Sequence, residues 1–129
     1  MTPLPSLRGL RLLVVEDEAL IAMMLEDMLA DLGCIVADVA GTLDTGLARA
    51  ADAALSVDGA ILDVNLGGEC VYPVAERLAS RGVPFVFCTG YGLSGLTPDF
   101  AHVPTLAKPY QTRDLESLLT SALVGARRQ

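Results

Sequence analysis

The chain has 129 residues, 52% of them hydrophobic, and a formal net charge of −7. That is the length of one domain with enough apolar material for a core, and its acidity makes nucleic acid and anionic membranes poor partners. Cys34, Cys70 and Cys88 are odd in number and lack CxxC spacing, which argues against a disulfide framework or a zinc site and fits a reducing cytoplasm. No apolar run approaches the ~20 residues of a membrane helix, and the N-terminus, with Pro3 and Pro5, has no apolar signal-peptide region.

Strand and helix patterns then alternate five times. Leu10 to Val15 reads as a first strand. Glu18 to Leu32 follows as a helix, with Leu20, Ile21, Met24, Leu25, Met28, Leu29 and Leu32 at helical spacing and Gly33 as its stop. Cys34 to Ala40 is a second strand, and Asp38 within it marks a less covered, edge-side position. Thr42 caps a helix expected to run to about Ala54. Gly59 to Asp63 is a short third strand, and Asn65 to Gly68 reads as a loop. The third helix is expected from about Cys70 to Ser80, with Pro73 tolerable in its first turn. Phe85 to Cys88, apolar throughout, suits a central parallel strand. Gly90 to Pro98 holds three glycines and a proline and reads as a loop. Val103 to Ala107 is the fifth strand, and a last helix starts near Thr112 and ends at Gly125. The fold class is therefore α/β, a (βα)5 doubly wound five-stranded parallel sheet with order 2-1-3-4-5.

In that arrangement every strand bearing chemistry ends on the same edge. Glu16 and Asp17 follow the first strand, Asp63 closes the third, Thr89 follows the fourth and Lys108, the only lysine, follows the fifth. Open α/β sheets bind ligands outside the carboxyl ends of their strands. Asp63 is a candidate nucleophile that forms an acyl phosphate. Glu16, Asp17 and Asp63, with the backbone carbonyl of Asn65, suit Mg2+, which takes oxygen ligands. Lys108 would pair with a phosphoryl oxygen as a compact point charge, and the Thr89 hydroxyl would donate to another. Each residue alone has a plainer reading: Asp63 as a turn cap, Glu16-Asp17-Glu18 as the acidic first turn of a helix, Lys108 as a loop charge. Their coincidence on one edge favours the chemical reading. His102, the sole histidine, reads as an exposed loop residue, and without an activated serine or cysteine it supports no hydrolase triad.

Val14-Val15-Glu16-Asp17-Glu18, Ile61-Leu62-Asp63-Val64-Asn65-Leu66, Thr89 and Lys108-Pro109-Tyr110 resemble, in order and spacing, the signature of response-regulator receiver domains, across almost the whole chain. The resemblance implies a flavodoxin-like receiver fold over residues 8–126, with 1–7 and 127–129 as flexible ends. It implies that a sensor histidine kinase phosphorylates Asp63 with Mg2+ as cofactor. Phe87-Cys88-Thr89-Gly90-Tyr91-Gly92 further resembles the Phe-Ala-Thr-Gly-x-Tyr signature of the FATGUY receivers, with Cys88 for alanine. Those receivers are typically stand-alone proteins served by kinases of the HWE or HisKA2 type. The implied protein is a cytoplasmic single-domain response regulator of a phosphorelay with no output domain. It would signal to a downstream protein or serve as a phosphoryl sink, and it is not a turnover enzyme. Receivers usually carry an aromatic residue three positions before the lysine; here that position is Thr105. Tyr91, the sole aromatic of residues 90–98, is the candidate replacement for that switch, working with Thr89. Two rivals stand beside this reading. One is a receiver-like interaction module that works without phosphorylation, against which the intact acidic, hydroxyl and lysine set argues. The other is an aspartyl phosphatase, which needs an aspartate where Asn65 stands.

Overall fold

The computed structural model describes residues 7–90 and 100–124. Its elements are β1 (Arg11–Val15), α1 (Ala19–Asp31), β2 (Ile35–Ala40), α2 (Leu43–Ala51), β3 (Gly59–Asp63), β4 (Asn65–Leu66), β5 (Glu69–Cys70), α3 (Tyr72–Ser80), β6 (Phe85–Thr89), β7 (Thr105–Ala107) and α4 (Thr112–Leu119), which continues as a π-helical turn over Thr120–Val124. Five strands form one sheet in the order β2-β1-β3-β6-β7, every pair parallel. Counted without the two short strands, this is the expected order 2-1-3-4-5. The central strands are buried on both faces, and β3 is covered along its whole length.

Parallel strands put alternate side chains on opposite faces, and the core accordingly splits in two. Leu12, Val14, Ile61, Val86 and Cys88 pack with Leu25 and Leu29 of α1 and Leu115 and Leu119 of α4. Leu13, Val15, Leu62 and Phe87 pack with Ala50 of α2 and Val74 and Leu78 of α3. Leu7, ahead of the first strand, is buried in the first of these cores. Thr42 caps α2 as expected, its hydroxyl accepting from the Thr45 N–H at 3.1 Å. Asp38 lies on the edge strand β2 and forms an ion pair with Arg49 of α2. Among the described residues, no helix is long and apolar enough to cross a membrane.

Several expected boundaries move. Asn65 to Gly68 is not a loop but the start of a two-stranded antiparallel hairpin. Gly67 and Gly68 both take positive φ, +59° and +94°, the backbone a two-residue hairpin turn demands. Cys70 therefore belongs to β5, and α3 starts at Tyr72 with Pro73 in its first turn, where no N–H is missed. Helix α2 stops at Ala51, short of Ala54, because Asp52 turns extended and its carboxylate accepts from the Ala54 N–H. Cys34 precedes β2, and β7 begins at Thr105, since Val103 is held in a turn by the Phe100 carbonyl. On α1 the apolar stripe is wider than the buried face: Leu20 and Met24 are exposed. The expected loop at 91–98 and the helix stop at Gly125 lie outside the described residues.

Candidate functional site at the carboxyl edge of the sheet

The edge gathers its chemistry because four of the five sheet strands, β1, β3, β6 and β7, end at or just before a polar residue. β1 ends at Val15, and the Glu16 N–H donates to the Ala40 carbonyl of β2, so the chain stays in the sheet for one residue more. Asp63 and Thr89 are the last residues of β3 and β6. Lys108 follows β7, and its N–H donates to the Thr89 carbonyl at 2.9 Å. Among the described residues, Glu16, Asp63 and Thr89 are the buried polar residues of an otherwise apolar core.

Lys108 ties the site together. Its Nζ donates to Glu16 Oε1 at 3.0 Å and to Asp63 Oδ2 at 3.1 Å. The second oxygen of each carboxylate accepts a backbone N–H at 3.2 Å, Glu18 to Glu16 Oε2 and Asn65 to Asp63 Oδ1. A buried charge is tolerated when such partners surround it. Burial pushes the Glu16 carboxyl up to about 7, and a hydrogen bond shared with Asp63 adds to the rise, against the pull of Lys108. Burial acts to lower the Lys108 ammonium, but its bonds to Glu16 and Asp63 outweigh that and hold it above the ordinary lysine value.

A polar pocket of about 290 Å³ opens over these groups, lined by Asp17, Glu18, Asp63, Asn65, Gly67, Thr89, Gly90 and Lys108. One carboxylate oxygen each from Glu16, Asp17 and Glu18 lies within 4.8 Å of the others. This all-oxygen donor set suits a hard divalent cation and offers nothing to a thiophilic one. The structure thus brings together Glu16, Asp17, Asp63, Asn65, Thr89 and Lys108. Tyr91 lies outside the described residues. Thr105 is half-buried, and its hydroxyl donates to the Val103 carbonyl at 3.1 Å. Glu18, which the sequence marks only as part of the acidic run, and Gly67 also line the site. The unbroken run Glu16-Asp17-Glu18 was the signal for the first. The Gly67-Gly68 hairpin turn was the signal for the second; a Cβ on Gly67 would meet Asp17 Oδ2 at 3.8 Å.

No protein-family model matches the chain. It is similar to the solution structure of SdrG from Sphingomonas melonis Fr1, with 44% identity, 88% of this chain and 95% of that one covered, and a TM-score of 0.77. The REC domain of the response regulator PhyR from Erythrobacter litoralis superposes with a TM-score of 0.76 at 26% identity, covering 88% of this chain and 89% of that one. The phyllosphere-induced regulator PhyR of Methylorubrum extorquens is 34% identical in an alignment 118 positions long that covers 87% of this chain and 43% of that protein, so the chain spans less than half the length of this relative. The fold and sheet order agree with these likenesses, and the chain belongs to the response-regulator receiver family.

Proposed function

We propose that Asp63 accepts a phosphoryl group from the phosphohistidine of a sensor histidine kinase, and that the chain acts as a stand-alone receiver of the FATGUY type. The observation that carries this reading is the Lys108 ammonium held between the buried carboxylates of Glu16 and Asp63. In the transfer the P–N bond of the donor breaks and an O–P bond to Asp63 forms. Asp63 is the attacking group, and Lys108, already at its oxygen, moves its charge onto the incoming phosphoryl oxygens. Thr89, at the neighbouring strand end, donates its hydroxyl to another. Such transfers depend on positioning and charge neutralisation more than on covalent chemistry. Glu16, Asp17 and the Asn65 carbonyl would hold Mg2+, which when bound neutralises charge between Asp63 and the phosphoryl group. Residues at Thr89 and Tyr91 would carry the change to a protein-binding surface, read by a downstream protein or phosphotransferase. A kinase of the HWE or HisKA2 type in the cytoplasm is the partner this reading calls for.

The test is incubation with acetyl phosphate and Mg2+, followed by intact mass, with Asp63→Asn alongside. The expected result is one acid-stable, base-labile phosphoryl group on the parent, none on the variant, and none in EDTA. A parent that takes no phosphoryl group from acetyl phosphate or from phosphorylated kinases sinks the proposal and leaves a phosphorylation-independent interaction module.

A further inference from the structure

Lys108 reaches its carboxylates on a long, freely rotating stem, so the placement of its ammonium depends on the backbone that carries it. Two contacts index that backbone, and both land on β6, the strand beside Asp63. The Lys108 N–H donates to the Thr89 carbonyl at 2.9 Å. Two residues on, the Tyr110 hydroxyl accepts from the Cys88 thiol at 3.9 Å. Cys88 itself stands level with Asp63 in the β3–β6 register and level with Leu106 in the β6–β7 register. Its carbonyl accepts the Val64 N–H at 3.0 Å. One residue of β6 is thus bonded through its main chain to the turn after Asp63 and through its side chain to the loop that carries Lys108.

The surroundings leave that side-chain contact something to do. Tyr110 is half-buried against the core between the sheet and α1 and α4. Its ring, with Lys108, Pro109 and Ile21, Met24 and Met28 of α1, walls an apolar cavity of about 330 Å³. Open space on that side means packing alone does not pin the ring. The hydroxyl, reaching the fully covered Cys88, supplies the fixed point.

We infer that Tyr110 is a positioning residue for Lys108 and that the Cys88 thiol is the partner that holds it. The inference rests on Asp63 being the phosphoryl acceptor. It gives Cys88, which stands where the FATGUY signature has alanine, a role that a mere exchange of small residues would not have.

Because Lys108 is the only lysine, protein labelled with 15N-lysine gives a single side-chain ammonium signal that reports this one group. That signal, the phosphorylation rate at saturating acetyl phosphate and the urea unfolding midpoint are measured for the parent, Tyr110→Phe, Cys88→Ala and the double variant. Each single variant is expected to shift or broaden the ammonium signal and to slow phosphorylation about threefold, as for a weak hydrogen bond lost. The double variant is expected to be no slower than the slower single one, since both remove the same contact. An unchanged ammonium signal in both single variants overturns the inference, whatever happens to the midpoint, because that is the pattern of packing alone. Additive slowing in the double variant overturns it too. If the parent itself takes no phosphoryl group, the reading of Asp63 fails, while the ammonium signals still decide the positioning of Lys108.

Discussion

Glu16 shows what concentrating charge on one edge costs. It is 4% exposed and sits within hydrogen-bonding reach of Lys108, which Asp63 also claims. Its carboxyl, pushed from 4.5 to about 7 chiefly by burial, binds a proton more tightly in the folded protein than in the unfolded chain. The contribution of Glu16 to stability therefore falls as pH rises from about 4.5 to 7 in metal-free protein, because ionising a raised carboxyl favours the state where it ionises freely. Glu16→Gln lacks that decline. In EDTA the variant is expected to gain on the parent by about 1–3 kcal/mol between pH 4.5 and pH 8, read from urea unfolding at each pH. A gap that stays constant with pH contradicts the assignment. The cysteines make a second residue-scale case. Burial pushes the Cys88 thiol up to about 12 and raises Cys34 as well, whereas Cys70 is exposed on β5. Since the thiolate is the reactive form, iodoacetamide at pH 8 should modify native protein once, at Cys70, and three times in urea. Peptide mapping that finds early label on Cys88 would refute this.

At the scale of elements, close approach decides where side chains fit. Gly59 opens β3 where the π-helical turn after α4 crosses it: a Cβ there would lie 2.7 and 2.9 Å from the Leu123 methyls and 3.2 Å from the Pro84 carbonyl. Leu123 is fully buried and has nowhere to retreat. Gly59→Ala is expected to destabilise by about 1–3 kcal/mol, as overpacking does. In a Leu123→Ala background the same change should cost much less, so the pair is non-additive in chemical denaturation; equal costs in both backgrounds would rule out the steric account. This crossing was not legible in the sequence, because it joins residues far apart in the chain. The five main strands were legible: four are apolar runs that stop at a polar residue, and β2 is an apolar run interrupted only by Asp38. The hairpin of β4 and β5 was not, because two-residue strands have no period to detect; only Gly67-Gly68 announces it. The outward position of Leu20 and Met24 was not legible either. Periodicity marks a stripe on α1, but the stripe is wider than the strip of sheet available to cover it. The site was legible almost whole, since its residues are the polar stops of the strands themselves.

Across the whole molecule, the site is where distant parts of the chain are joined. Lys108 is 92 residues from Glu16 and 45 from Asp63, and no short segment contains the oxygen cluster, Asp63 and the lysine together. A cation held there binds only the assembled sheet, so its binding free energy adds to the stability of the entire fold rather than of one helix. Mg2+ at a hundred times its Kd is expected to raise the unfolding free energy by about 2.7 kcal/mol. Asp17→Asn, which removes an exposed acid of the cluster without opening the core, should lose most of that increment while changing metal-free stability little. Thr42→Ala serves as the contrast. It removes the hydroxyl that caps α2 at the same edge of the sheet but is bonded to Thr45 of its own helix, and should cost about 1 kcal/mol by the same amount with and without Mg2+, because independent sites add. Urea unfolding of the three proteins with Mg2+ and with EDTA separates the cases. An Asp17→Asn protein that gains as much from Mg2+ as the parent does would place the cation elsewhere. A Thr42→Ala penalty that depended on Mg2+ would mean that α2 and the site are coupled, not merely carried by the same sheet.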